Sequence, residues 1–167
     1  MRWTIKPKPD PSKVARLSKE LAVDSTTSFL LAQRGIETFE EAKNFFRPDL
    51  SDLHDPFLMK DMEKAVSRIE EAVENQENIL VYGDYDVDGT TSVALMSSYL
   101  LSFYPNVATY IPDRYEEGYG ISYKGIDFAE DNNFSLIIAL DCGIKAIDKV
   151  AYAFKKEEDF IICDHHK

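Results

Sequence analysis

The sequence predicts an α/β protein in which a parallel sheet with helices on both faces is preceded by a small helical segment. Three observations predict it. From Glu77 onward, short apolar runs recur between segments of helical spacing. Those runs show no polar alternation, as fits strands buried on both faces. Each one also breaks at once into a polar, acid-bearing stretch: GDYDVDG, PDRYEEGYG, DCG and DHH. In an open parallel sheet the carboxyl ends of the strands form the ligand crevice, so acids from separate stretches are expected to converge there.

Taken in order, an extended start leads to Ser12–Ala22, where Val14, Leu17 and Leu21 share a helical face and Ser12, after Pro11, is the expected cap. A second helix is expected over Ser25–Arg34, stopping at Gly35. Thr38 and Glu41 make a capping-box pattern that opens a short helix through Phe46, ended by Pro48. These amphipathic helices carry no cluster of catalytic residue types and read as a packing appendage, residues 1–58. The second domain is placed at 59–167. Its connector holds Pro56 and a lone His54, which is left out of any site, and leads into a helix, Asp61–Glu74, with Met62, Ala65, Val66, Ile69 and Val73 on one stripe. Strands are then expected at Ile79–Tyr82, Val107–Ile111, Leu136–Leu140 and Phe160–Cys163, with helices at Thr90–Phe103, Tyr123–Asp131 and Ile144–Lys155 between them.

Composition excludes several classes. Hydrophobic content of 44% with 29% charged residues is that of a globular chain rather than a disordered one, and 167 residues are few for two full domains. No apolar run is long enough to span a bilayer and MRWTIKPKPD lacks the core of a signal peptide, so a cytoplasmic location without a membrane partner is expected. Cys142 and Cys163 have no zinc or redox spacing and read as small buried thiols. The net charge of −11 argues against a phosphate backbone as partner on bulk grounds. Several of the acids, however, sit in one cluster where bound cations would reverse the local field, and a basic surface could lie outside this chain.

That cluster is Asp84, Asp86 and Asp88 in ILVYGDYDVDGTTS, with no Lys or Arg within ten residues. Like charges so close repel and raise one another's pKa unless a cation compensates, which points to a metal site. An EF-hand is excluded because the twelfth position is Leu95 and the preceding segment is a strand. Asp86-Val87-Asp88-Gly89-Thr90 resembles the DxDxT nucleophile motif of dehalogenase-like phosphatases, but Gly83, Asp84 and Tyr85 intervene after the strand. A phosphate loop lacks its Lys. Asp141 in ALDCGI ends the third strand; alone it would read as a helix cap, and beside the first motif it becomes a candidate ligand. Asp164-His165-His166 closes an apolar strand with a mixed carboxylate and imidazole set, suited to Mn²⁺ or Mg²⁺.

These motifs together resemble the DHH phosphoesterase superfamily, whose third motif stands here as Asp164-His165-His166. LLAQRGIETFEEAKNFFRP, GDYDVDGTTS, IPDRYEEGYGIS and ALDCGI resemble, within it, the amino-terminal part of RecJ-type exonucleases. The resemblance implies a Mn²⁺- or Mg²⁺-dependent 5′ to 3′ single-stranded-DNA exonuclease of DNA repair and recombination, with single-stranded DNA and repair proteins as partners. By position, Asp86 and Asp88 would bind different metals, Asp141 would bridge them and His165 would complete one shell. Likewise His166 would sit near the scissile phosphate, Asp84 would belong to the site, Asp164 would orient an imidazole, and Arg114 would meet a phosphate or make a structural salt bridge. The family pattern continues past DHH with another Asp ligand and a separate carboxy-terminal domain, so a truncated, incomplete two-metal site, inactive alone, is expected. The alternatives are another DHH-type hydrolase of small phosphoesters or oligonucleotides, and a non-catalytic fragment that binds DNA or a partner.

Overall fold

Three helices open the chain: α1 (Pro11–Leu21), α2 (Ser25–Gln33) and α3 (Phe39–Phe46). In the computed structural model, which describes residues 3–166, they belong to one of two units, Met1–Leu58; the other is Met59–Lys167. The expected cap Ser12 is corrected to Asp10, whose Oδ1 accepts from both Ser12 N and Ser12 Oγ at 2.8 Å. Pro11 thereby takes the first helical position, where its missing N–H would have no helical partner in any case. Past α2, Gly35 at φ +82° lets Gly35 N and Ile36 N turn back onto Ala32 O and Leu31 O, each at 3.1 Å. The Thr38–Glu41 capping box opens α3 as expected. Leu17, Leu31 and Ala42 are the buried apolar residues of these helices. The connector forms two 3₁₀ turns, Leu50–Asp52 and Pro56–Leu58, with His54 exposed between them.

The second unit runs α4 (Met62–Glu74), β1 (Asn78–Gly83), α5 (Val87–Leu101), β2 (Val107–Tyr110), α6 (Tyr123–Asp131), β3 (Phe134–Leu140), α7 (Ile147–Phe154) and β4 (Asp159–Cys163). All pairings are parallel and the order is β2-β1-β3-β4. One face of the sheet, Ile79, Val81, Leu136, Ile138 and Leu140, packs against Val93 and Leu100 of α5 and Ala72 of α4. Residues of opposite parity, Leu80, Tyr82, Ile137 and Ala139, pack with Ile126 and Ala129 of α6 and Ala153 of α7. Because successive strand side chains alternate faces, covering both faces requires the continuous apolar runs seen in the sequence.

Two helix starts in this unit differ from expectation by three residues. α5 begins at Val87, not Thr90, because Asp86 caps it through a 2.9 Å bond from Gly89 N. α7 begins at Ile147, not Ile144, since residues 143–146 first form a turn closed by Ala146 N on Gly143 O at 2.9 Å.

One carboxylate is out of keeping with its surroundings. Glu158, just before β4, is 3% exposed, and neither carboxylate oxygen has a hydrogen-bond partner among the described residues. The nearby Lys156 ammonium pairs instead with Asp127 at 3.0 Å and with Glu130. Burial pushes the Glu158 carboxyl up to about 7 from an ordinary 4.5. The folded protein therefore keeps a proton that the unfolded chain has released. Stability from this group is fully present below pH 4.5 and is lost as pH rises to about 7. At about 1.4 kcal/mol per pKa unit, discounted for residual screening, the loss is on the order of 2 kcal/mol. Glu158→Gln should recover it, so the difference in unfolding free energy between variant and wild type should grow from pH 5 to pH 8 in urea titrations; a difference independent of pH would refute the assignment.

Candidate metal centre

The sheet order places β1 between β2 and β3, so the chain leaves the top of β1 toward one side and the top of β3 toward the other. The carboxyl ends of these strands flank the switch point where open α/β sheets bind ligands. In register, Gly83 stands beside Leu140 and Leu140 beside Cys163. The next residue in each strand is an aspartate: Asp84, Asp141 and Asp164. Adjacent parallel strands are about 4.8 Å apart, so residues distant in sequence form one row of acids above the sheet.

The row is not uniform. Asp84 is fully buried, and its oxygens accept backbone bonds from Tyr85 N and, at 3.1 Å, from Gly120 N. Burial raises its pKa despite these bonds, with the Asp86 charge a lesser cause. Asp141 is 8% exposed and takes φ +59°, a left-handed conformation in which an L residue is strained. Its N–H donates to Cys163 O at 2.8 Å and its Oδ1 lies 3.1 Å from His165 Nε2. Asp164 Oδ2 accepts from Ile144 N at 3.0 Å, and its Oδ1 meets both His166 N at 3.0 Å and His166 Nδ1 at 2.7 Å. Desolvation pushes the Asp164 carboxyl up, but these bonds outweigh it and leave it below the usual range. The same contact with Asp164 raises the His166 imidazole.

Asp141, His165 and His166 each offer a donor atom within 4.8 Å of the others, so the structure brings these three together. The two imidazole rings lie 4.5 Å apart. The Asp86 carboxyl is held below the usual range, chiefly by the bond from Gly89 N, with the His166 charge a minor cause. Asp88 stands apart from the tight trio, exposed in the first turn of α5. The mutual repulsion expected of Asp84, Asp86 and Asp88 is seen only in part: the Asp86 charge adds to the raised pKa of Asp84, whereas the Asp86 carboxyl is itself lowered. One ends a strand, one caps a helix and one sits on that helix, and the helix N-terminus supplies the compensating positive end.

Arg114 is exposed, with its guanidinium carbon 4.4 Å above the Tyr85 ring, and makes no ion pair among the described residues. It rides on a loop that is tied to itself by Asp113 Oδ1, which accepts from Tyr115 N and Glu116 N, and by Glu117, which accepts from Asp113 N and Tyr110 OH. Tyr82 OH pins the far end of this loop to β1, donating to Gly120 O and accepting from Ser122 N. Sequence reasoning missed Tyr119, whose hydroxyl donates to Asp86 Oδ2 at 3.0 Å. The GYG triplet around it was the available signal: Gly118 and Gly120 both take left-handed φ, +83° and +79°, with open space where a Cβ would point, so backbone conformation rather than room calls for glycine. Cys142 is buried and its thiol is pushed up to about 12 by desolvation, which fits a packing role.

The donor set passes a simple test of fit. Clustered carboxylate oxygens with imidazole nitrogens, partly buried at the mouth of a crevice, suit a hard divalent cation, and two of the groups are oriented by a further hydrogen bond, Asp86 by Gly89 N and His166 by Asp164.

Comparison with known proteins places the chain in a family. The family model described as the DHH family, N-terminal domain, matches residues 78–167. The single-stranded-DNA-specific exonuclease RecJ of Bacillus subtilis (strain 168) is 41% identical over 167 residues, 100% of this chain and 21% of that protein. The RecJ of Haemophilus influenzae is 32% identical over 118 residues, 70% of this chain and 20% of that one. The chain thus spans about a fifth of the length of these curated relatives. A crystal structure of exonuclease RecJ bound to manganese matches with TM-score 0.61 and 31% identity, over 65% of this chain and 28% of that chain. RecJ from Thermus thermophilus in complex with Mn²⁺ shares the fold, with TM-score 0.70 at 23% identity over 96% of this chain and 22% of that chain.

Proposed function

The chain belongs to the DHH family, and from that premise we propose that it is the amino-terminal part of a metal-dependent 5′ to 3′ single-stranded-DNA exonuclease of DNA repair and recombination, acting in the cytoplasm. The observation that carries the reading is the meeting of Asp141, His165 and His166 above the switch point. Residues 59–167 are the DHH domain in this reading and residues 1–58 a helical packing segment. RecJ relatives named as acting on single strands support the substrate, and the manganese-bound exonuclease supports the cation.

Asp86, Asp88, Asp141 and His165 would hold Mn²⁺ or Mg²⁺. A bound divalent pair lowers the pKa of a water and neutralises charge building on the phosphate. The protein's own groups do the rest. His166, kept protonated more readily by Asp164, donates a hydrogen bond to a phosphate oxygen. Arg114 offers a planar, fixed guanidinium to a second phosphate. Asp84 fixes the loop that bears Arg114 by accepting from Gly120 N.

The test uses the full-length polypeptide and single strands labelled at either end. Loss of the 5′ label should come first, stop on chelation and resume with Mn²⁺ or Mg²⁺. Hydrolysis confined to small phosphoesters would instead indicate a sibling DHH hydrolase, a trapped phosphorylated Asp86 a dehalogenase-like enzyme, and failure to bind metal a non-catalytic DNA- or partner-binding role.

A further inference from the structure

We infer that Tyr119 is a positioning residue for the metal-binding carboxylate of Asp86. The inference rests on the metal-site reading above. Asp86 is only half-buried, and a carboxylate capping a helix has one oxygen committed to the backbone and one free to swing. Here Oδ1 takes Gly89 N at 2.9 Å and Oδ2 takes Tyr119 OH at 3.0 Å, so both oxygens are fixed by donors from two different elements. Each oxygen still has a lone pair left for a cation.

Tyr119 can hold that position because the backbone is anchored on both sides of it, with Gly118 N donating to Asp113 O at 3.2 Å before it and Gly120 bonded twice after it. Gly120 N donates to Asp84 Oδ2 at 3.1 Å, and Gly120 O accepts from Tyr82 OH at 3.0 Å. The left-handed glycines on either side of Tyr119 turn its ring back over the crevice, where its edge meets Tyr85 with centroids 5.6 Å apart at 90°. Two buried residues of the β1 end, Tyr82 and Asp84, thus set the reach of a hydroxyl that a residue beyond that strand needs. The β2–α6 loop is in this way part of the metal centre although it supplies no ligand.

The role predicts a particular pattern. Partners that orient a ligand typically govern metal affinity by about 10–100-fold. Tyr119→Phe keeps the ring and its contact with Tyr85 while removing only the hydroxyl. Calorimetric titration with Mn²⁺ should show a loss within that range, and the electron paramagnetic resonance spectrum of the bound Mn²⁺ should broaden or shift. In an Asp86→Ala background, Tyr119→Phe should have no further effect, since the hydroxyl acts through Asp86. Tyr115→Phe, at a side chain 93% exposed, serves as the control and should match wild type. Thermal unfolding of each variant reports whether the fold is kept. Wild-type affinity and spectrum in Tyr119→Phe, or an undiminished effect in the Asp86→Ala background, would overturn the inference alone. Absence of Mn²⁺ binding by the wild-type protein would overturn the metal site and this inference with it.

Discussion

Asp141→Gly should make the protein more stable while removing its metal binding. Asp141 holds φ +59° with a Cβ, a conformation that costs an ordinary L residue roughly 1–2 kcal/mol and Asp somewhat less. It also keeps a carboxylate 8% exposed, in a row with two other acids. Glycine relieves both terms, and the His165 that Asp141 contacts is 74% exposed and can turn to water. A gain of about 1 kcal/mol should raise the melting temperature by about 2–4 °C. Mn²⁺ affinity should fall by more than the roughly 100-fold expected for loss of an outer partner, because Asp141 is proposed as the bridging ligand. The nuclease activity proposed for the full polypeptide should disappear. Asp141→Asn separates the two terms: Asn tolerates the same φ, so it should lose metal without gaining that backbone relief. A glycine variant that melted lower than wild type would show that the strain is not released.

Gly89→Ala should damage fold and site together. A Cβ at Gly89 would lie 2.6 Å from Asp84 O and 2.7 Å from Asp84 N, backbone atoms that cannot rotate away. The first turn of α5 rests directly on the end of β1 at this point, so the helix must shift or the strand must end early. Forced overpacking of this kind costs about 1–3 kcal/mol, and the upper part of that range is expected where backbone meets backbone. The shift would also carry off Gly89 N, the donor that holds Asp86 Oδ1. Chemical denaturation should show the lost stability, and calorimetry should show Mn²⁺ affinity reduced in the variant even at temperatures where it is folded. Retained affinity would mean that α5 and Asp86 move together without loss of geometry.

Much of this architecture was legible. Four apolar runs gave the four strands because burial on both faces leaves no other pattern, and the acids that follow β1, β3 and β4 lie together because the strands end level. Charge spacing misled in one place. Read linearly, Asp84, Asp86 and Asp88 repel; folded, Asp86 is a helix cap, so its pKa falls, and burial more than the Asp86 charge raises Asp84. The same capping effect hid the true starts of α1 and α5, because an Asp that accepts from backbone two or three residues on looks like a loop residue until the bond is seen. The partner of Tyr119 was hidden for another reason, although the GYG triplet marked its loop. Its partner Asp86 lies far away in the chain, and nothing in local periodicity records which hydroxyl a loop presents across a crevice.

The strand order has a consequence for folding. The central pairing joins Ile79 to Leu136, and β4 can dock only on a β3 already in place. Contacts of such wide sequence separation form slowly, after the chain between them has paid its loop-closure entropy. Asp141 obtains its backbone partner, Cys163 O, and the His165 contact only when β4 arrives. The part of the proposed ion site built from Asp141 and His165 can therefore form only once the fourth strand has paired, after the Asp86 and Asp88 side of it is already in the chain.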